Sequence, residues 1–170
     1  GVDGSELHLA KPGTVLAKAK VAAKLNTEPI PGLAKRNYAQ KPYWHVERAR
    51  IKGTRKVPVE VIVNGYPIAQ QEILADGELR DIAFEVPIQY SSWIALRILP
   101  SSHTNPVFVV VDGKPIRASQ RSAEWCLAGV KKCRDQKRRF MGDDEIEDFN
   151  ETYDHAEKVY LQIIAESVAD

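Results

Sequence analysis

Very little in this chain of 170 residues points to chemistry of its own. It has two cysteines, one methionine and four histidines, and no His-x-His, His-Glu-x-x-His or Cys-x-x-Cys arrangement that would seat a metal. A metal-dependent hydrolase needs several imidazoles and carboxylates converging on one point, whereas His8, His45, His103 and His155 are scattered along the chain. There is no Gly-x-Ser-x-Gly nucleophile elbow and no glycine-rich phosphate loop. No apolar run reaches the eighteen or so residues needed to span a bilayer, and no charged-then-apolar leader opens the chain. It begins at Gly1 rather than Met, as expected of a piece trimmed from a larger protein. A net charge of +1 argues against a general nucleic-acid binder, which needs a strongly basic face. Neither nucleic acid nor membrane is therefore expected as a partner.

Cys126 and Cys133 lie seven residues apart in a helical stretch. Two turns separate their Cα atoms by about 10.5 Å, beyond the roughly 7 Å that a disulfide tolerates. They read as small hydrophobes on one buried stripe, and leave the redox compartment open.

What is present is an ordinary globular balance, 44% hydrophobic and 28% charged, in a chain long enough to bury a core without staples. Most of the first 118 residues read as β. Ser5–Ala10 is a short strand ended by Lys11-Pro12-Gly13. Thr14–Leu25 alternates Val15, Ala17, Ala19, Val21 and Ala23 against lysines, the period of a half-buried strand. Residues 26–42 hold three prolines and no periodicity, which predicts a long surface loop. Tyr43–Ile51 reads as a further strand, carrying His45 as His8 is carried on the first. Val57–Val63 runs into Asn64-Gly65, a hairpin signal, and Tyr66–Ala75 returns to Asp76-Gly77. Leu79–Val86 follows, with Leu79, Ile82, Phe84 and Val86 as its apolar members and Pro87 at its end or edge. Trp93–Leu99 sets Ile94, Leu96 and Ile98 toward a core, and Val107–Val111 leads to Asp112-Gly113. Short strands with a turn about every ten residues predict a mostly β fold, an antiparallel β-sandwich of immunoglobulin/fibronectin type.

The last third changes period. Ser119 or Ser122 caps a helix to about Arg139, with Ala123, Cys126, Leu127, Val130 and Cys133 as its stripe. After Met141-Gly142, Asp143 caps a second helix with Ile146, Phe149, Tyr153, Ala156, Tyr160 and Ile163 one turn apart. Residues 119–170 thus read as an antiparallel helical hairpin, expected to pack on the sandwich. The first helix ends in Lys and Arg and the second begins with Asp143, Asp144, Glu145, Glu147 and Asp148. This pattern complements both helix dipoles and predicts that the two clusters meet.

Two groups of residues are candidate sites. The segment Pro100-Ser101-Ser102-His103-Thr104-Asn105-Pro106 joins two strongly apolar strands and is bracketed by prolines that restrict the chain. Ser, Thr and Asn in loops commonly satisfy backbone groups, but this run is richer in polar side chains than a turn requires. Ser101, Ser102, His103, Thr104 and Asn105, with Arg97 on the strand below, are therefore binding or docking candidates. Tyr38, Trp44 and Trp93, with Tyr43, form the alternative, a stacking platform for a sugar; large aromatics are more often core.

These segments carry a resemblance. Lys41-Pro42-Tyr43-Trp44, Val57–Pro67, Ser92-Trp93-Ile94-Ala95-Leu96-Arg97, Leu99–Val109 and Ser122-Ala123-Glu124-Trp125-Cys126-Leu127 look like the C-terminal region of bacterial CehA/McbA-family metallohydrolases, relatives of the PHP (polymerase and histidinol phosphatase) domain. The resemblance implies an N-terminal catalytic domain in the same parent chain, which binds the metal ions, followed by this β-domain. No metal ligand has a counterpart here, so it implies no catalytic residue, metal or cofactor in this segment. It implies a non-catalytic accessory domain that supports the catalytic domain or shapes substrate access, with the loop around His103 facing it. It leaves the compartment open, an exported parent included. A carbohydrate- or ligand-binding β-sandwich module is the alternative.

Overall fold

A computed structural model describes residues 5–51, 53–100 and 102–169. The chain divides into two compact units, residues 1–115 and 116–170, the first rich in sheet and the second helical.

Among the described residues, eight strands build the first unit: β1 (Glu6–Leu9), β2 (Gly13–Val21), β3 (Lys56–Val63), β4 (Tyr66–Leu74), β5 (Arg80–Ile88), β6 (Ser92–Ile98), β7 (Ser102–His103) and β8 (Val107–Val111). One sheet has the order β1-β8-β6-β3-β4, with β7 also on β6; the other pairs β2 with β5. All pairings are antiparallel except β1 with β8. Alternation decides the inward faces. Val57, Val59 and Val61 of β3, Ile94 and Leu96 of β6, and Val109 and Val111 of β8 meet Ile82, Phe84, Val86 and Ile88 of β5 in a single buried cluster. One core thus draws on both sheets, and burial of its aliphatic side chains, about 1.5–3 kcal/mol each, is the main force holding them.

The turn dipeptides behave as their chemistry requires. Asn64 and Gly65 have φ of 49° and 95°, both positive as a two-residue hairpin between twisted strands demands. Asp112 and Gly113 repeat the pattern at 54° and 65°. Asp76 accepts from the backbone of Glu78 and from both terminal nitrogens of Arg80. Pro87 lies inside β5 opposite Thr14, tolerated because the sheet has only two strands and β5 is an edge.

Several expectations are corrected. Residues 43–51 form no strand but two 3-10 turns, Pro42–Trp44 and Val46–Ala49, so His45 is not on a strand. The alternation of Tyr, Trp and Val imitated a strand, yet Pro42 presets a turn and a local ion pair holds the segment coiled. The Glu47 carboxylate accepts from Arg50 Nε at 2.8 Å and Nη2 at 2.6 Å, and from the Asn26 amide at 3.0 Å. Arg50 Nη2 also donates to the Asn26 carbonyl. The departure from β therefore runs from residue 26 to about 55, longer than the predicted loop, and includes further 3-10 turns at Leu33–Lys35 and Tyr38–Gln40. Strand β2 stops at Val21 rather than Leu25. Leu79 is exposed and precedes β5, leaving Ile88 as the fourth inward residue.

In the second unit, α1 (Gln120–Lys137) begins at Ser119, whose Oγ accepts from the Ser122 amide. Helix α2 runs Ile146–Glu166. Asp143 does not cap it: residues 143–145 form a preceding turn in which Glu145 Oε2 accepts from the Gly142 amide. The two helices are clasped by charge, though among the described residues the acids at the start of α2 form no ion pair across to α1. Arg134 Nη1 reaches Asp154 at 2.7 Å and Glu157 at 3.1 Å, about two and three turns into α2. Both cysteines are free thiols, and Tyr153 OH donates to Cys133 Sγ at 3.3 Å.

Candidate functional site: a groove over a strand bulge

The segment between β6 and β8 does not hang free. Ser102 and His103 return against β6 opposite Ile98 and Arg97, and β8 then pairs the same side of β6, with Val107 opposite Ile94. From Arg97 to Ile94 is three steps on β6, but from His103 to Val107 is four. Thus β7 and β8 are one strand interrupted by an extra residue, a β-bulge. Thr104 closes it: its amide donates to the Leu96 carbonyl at 3.0 Å and its Oγ1 accepts from the Leu96 amide at 3.1 Å. The side chain replaces the backbone acceptor that the bulge displaces, so Thr104 is a structural member of the loop.

On the outer face beside this bulge lies a cavity of about 460 Å³ lined by Trp93, Ala95, Ile62, Phe108, Arg97 and the 103–106 segment. Register explains its shape. Trp93 stands opposite Phe108, and Ala95 opposite Ile62, so the outer face runs from an aromatic end across a low aliphatic floor. Ala95 makes the depression, a methyl between Trp93 and Arg97 on the same strand face. The far end is charged. Glu60, Arg97 and His103 are consecutive partners across β3, β6 and β7, and Arg97 Nε donates to Glu60 Oε2 at 2.7 Å. Glu60 is only 13% exposed, so this bond fixes the guanidinium against the sheet. His103 Nδ1 lies 3.1 Å from the Thr104 carbonyl oxygen, a bond made when that nitrogen carries the proton.

The aromatic end is held by a residue visible in the sequence only as a turn former. Asn64 Oδ1 accepts from the Trp93 amide, its Nδ2 donates to Ser92 Oγ, and its own amide donates to the Trp93 carbonyl. The hairpin tip is thereby tied to the start of β6.

Of the expected site residues, Arg97, His103, Thr104 and Asn105 line the groove together with Trp93. Ser102 pairs with the inward-facing Ile98 and is not among its lining residues, and Ser101 lies outside the described residues. Tyr38 and Trp44 are elsewhere, linked through Tyr43: the Tyr38 and Tyr43 rings stack at 5.0 Å, and Tyr43 meets Trp44 edge-on at 4.5 Å. Sequence reasoning missed Glu60, Ile62, Ala95 and Phe108. All four stand at strand positions opposite the core-facing set, which is the signal that locates them.

Chemically the groove can take a flat apolar group on Trp93 and Phe108 while Arg97 or the Asn105 amide meets a polar group at its rim. Among the described residues no three His, Cys, Asp or Glu side chains stand together as a metal would require, and no helix is long and apolar enough to cross a membrane. No protein-family model, curated protein or solved structure matches the chain.

Proposed function

We propose that this chain is a non-catalytic accessory domain of a PHP-like metal-dependent hydrolase, and that the groove beside the bulge is where it docks on the catalytic domain or borders its substrate entrance. The observation carrying this reading is the groove itself: an aromatic and aliphatic floor with a charged end fixed by the Glu60–Arg97 bond, on one face of the sheet. Interfaces of this kind place aromatic and Arg anchors at their centre. We read the two sheets as halves of an immunoglobulin/fibronectin-like sandwich, which the order β1-β8-β6-β3-β4 beside β2-β5 supports. In such a module function resides in the site rather than the fold.

The test is titration of the isotope-labelled chain with the catalytic part of its parent, read by NMR. Shifts confined to Trp93, Ala95, Arg97, His103 and Asn105 are expected; no shifts, or shifts elsewhere, overturn the reading. A second reading, carbohydrate or small-ligand binding, is favoured by one observation, the Trp93–Phe108 wall above Ala95. It predicts the same shifts on addition of a neutral oligosaccharide without any protein partner.

A further inference from the structure

The net charge of +1 conceals a separation. Residues 33–56 contain eight Lys or Arg and one carboxylate, Glu47. That stretch carries +7, so the other 146 residues sum to −6. The structure also removes Glu47 from the outward balance. Its side chain is 9% exposed and that of Arg50 only 4%, each neutralising the other inside the clasp with Asn26. Lys35, Arg36, Lys41 and Arg48 are all exposed, and among the described residues none has a carboxylate within 4 Å as an ion-pair partner. Charge and rings share one compact body, because the 3-10 turns at Leu33–Lys35 and Pro42–Trp44 both pack on the turn at Val46–Ala49.

The rings alternate along the chain with these cations: Lys35 and Arg36, then Tyr38, Lys41, Tyr43, Trp44 and Arg48. Lys41 takes a left-handed conformation, φ 52°, which folds the chain back between two turns and brings Tyr38 onto Tyr43. The two rings lie 21° from parallel, and Tyr38 is 75% exposed, so its outer face is a platform backed by a second ring. Trp44 continues the row at 51% exposure. Cations that follow a charged backbone, interleaved with rings on which flat groups stack, are the two parts of a surface for single-stranded nucleic acid.

We propose that the excursion between β2 and β3 binds single-stranded nucleic acid, a base stacking on Tyr38 and phosphates meeting Lys35, Arg36, Lys41 and Arg48. This site is separate from the groove and stands whether or not the docking reading does. An acidic polysaccharide satisfies the cations but offers no planar base for the Tyr38 face, and a duplex keeps its bases stacked internally.

The experiment is fluorescence anisotropy of the whole chain with an oligothymidylate of about twelve nucleotides across a salt series, alongside the matching duplex and alginate. Binding to the single strand is expected to be tightest. Tyr38→Ala should weaken it by about tenfold, within the range for one stacked base. Lys35→Glu with Arg36→Glu should weaken it further and flatten the log–log salt slope by about 1.4, two phosphate contacts at about 0.7 each. All three side chains are exposed, and unchanged melting curves will verify that the variants fold. Failure to bind the oligonucleotide at low salt overturns the proposal. So does alginate or duplex binding as tight as the single strand, or Tyr38→Ala leaving the affinity unchanged.

Discussion

Ala95 is the residue on which the groove depends. Neighbours two positions away on the same strand face are Trp93 and Arg97, and a methyl between them leaves the floor low. Ala95→Leu projects three more carbons into open space rather than into the core. Stability should therefore change by no more than about 0.5 kcal/mol, while binding of the parent's catalytic part falls at least tenfold; calorimetric melting and titration read the two quantities separately. Glu47 shows the opposite kind of dependence, a residue whose value is internal. Its pKa is lowered from the ordinary 4.5, first by the hydrogen bond from Arg50 and then by the Asn26 amide, against the opposing effect of burial. A carboxylate depressed in the folded state contributes stability that is whole above about pH 4.5 and is lost as pH falls through the lowered value. The urea midpoint should therefore drop on going from about pH 6 to about pH 3, and by less in Glu47→Gln. At neutral pH, Arg50→Ala should cost about 3 kcal/mol, because it leaves a poorly solvated carboxylate without its partner.

At the scale of elements, the bulge is what sequence patterning could not supply. Strand identity is a local property, and Val57–Val63, Val107–Val111 and the Asn-Gly and Asp-Gly turns announce themselves by composition. The extra residue at Thr104–Pro106 exists only in the pairing, since it requires knowing which residues of β6 stand opposite. The run was legible as unusually polar, but the reason for its polarity was not: Thr104 serves Leu96. Thr104→Val removes that acceptor while keeping the shape, and should destabilise by about 1–3 kcal/mol; Thr104→Ser should restore most of it, and chemical denaturation distinguishes them. Residues 43–51 failed for the same physical reason in reverse. Their alternation is strand-like, but the winning interactions bring both Glu47 and Arg50 onto the backbone of Asn26, 21 and 24 positions away. In the helical unit the local signals sufficed at Ser119 and misled at Asp143, where Glu145 instead reaches back to the Gly142 amide.

At the scale of the molecule, the two units differ in how much they bury. Every residue of the β core lies at or before Val111, and the strand ends are tied down within the same stretch. Ser91, itself buried, accepts from the Val111 amide at 2.8 Å and donates to the Lys114 carbonyl at 2.6 Å. The helical pair is thinner. Only Ala123 and Leu127 of α1 are buried and no residue of α2 is, so it leans on half-buried stripes and on polar contacts such as the Arg134 clasp and the Arg117–Glu166 pair at 2.8 Å. A chain of about 55 residues with so little buried apolar surface is marginal alone. Cut after Pro115, the first unit should keep near-ultraviolet ellipticity and unfold in one cooperative step, with a urea slope scaled to its smaller exposed surface. Residues 116–170 alone should show weak helicity that rises steeply with added trifluoroethanol and melts without a sharp midpoint. A cooperative transition in the isolated helical segment, or loss of tertiary signal in the truncated β unit, would contradict the division of stability drawn from these cores.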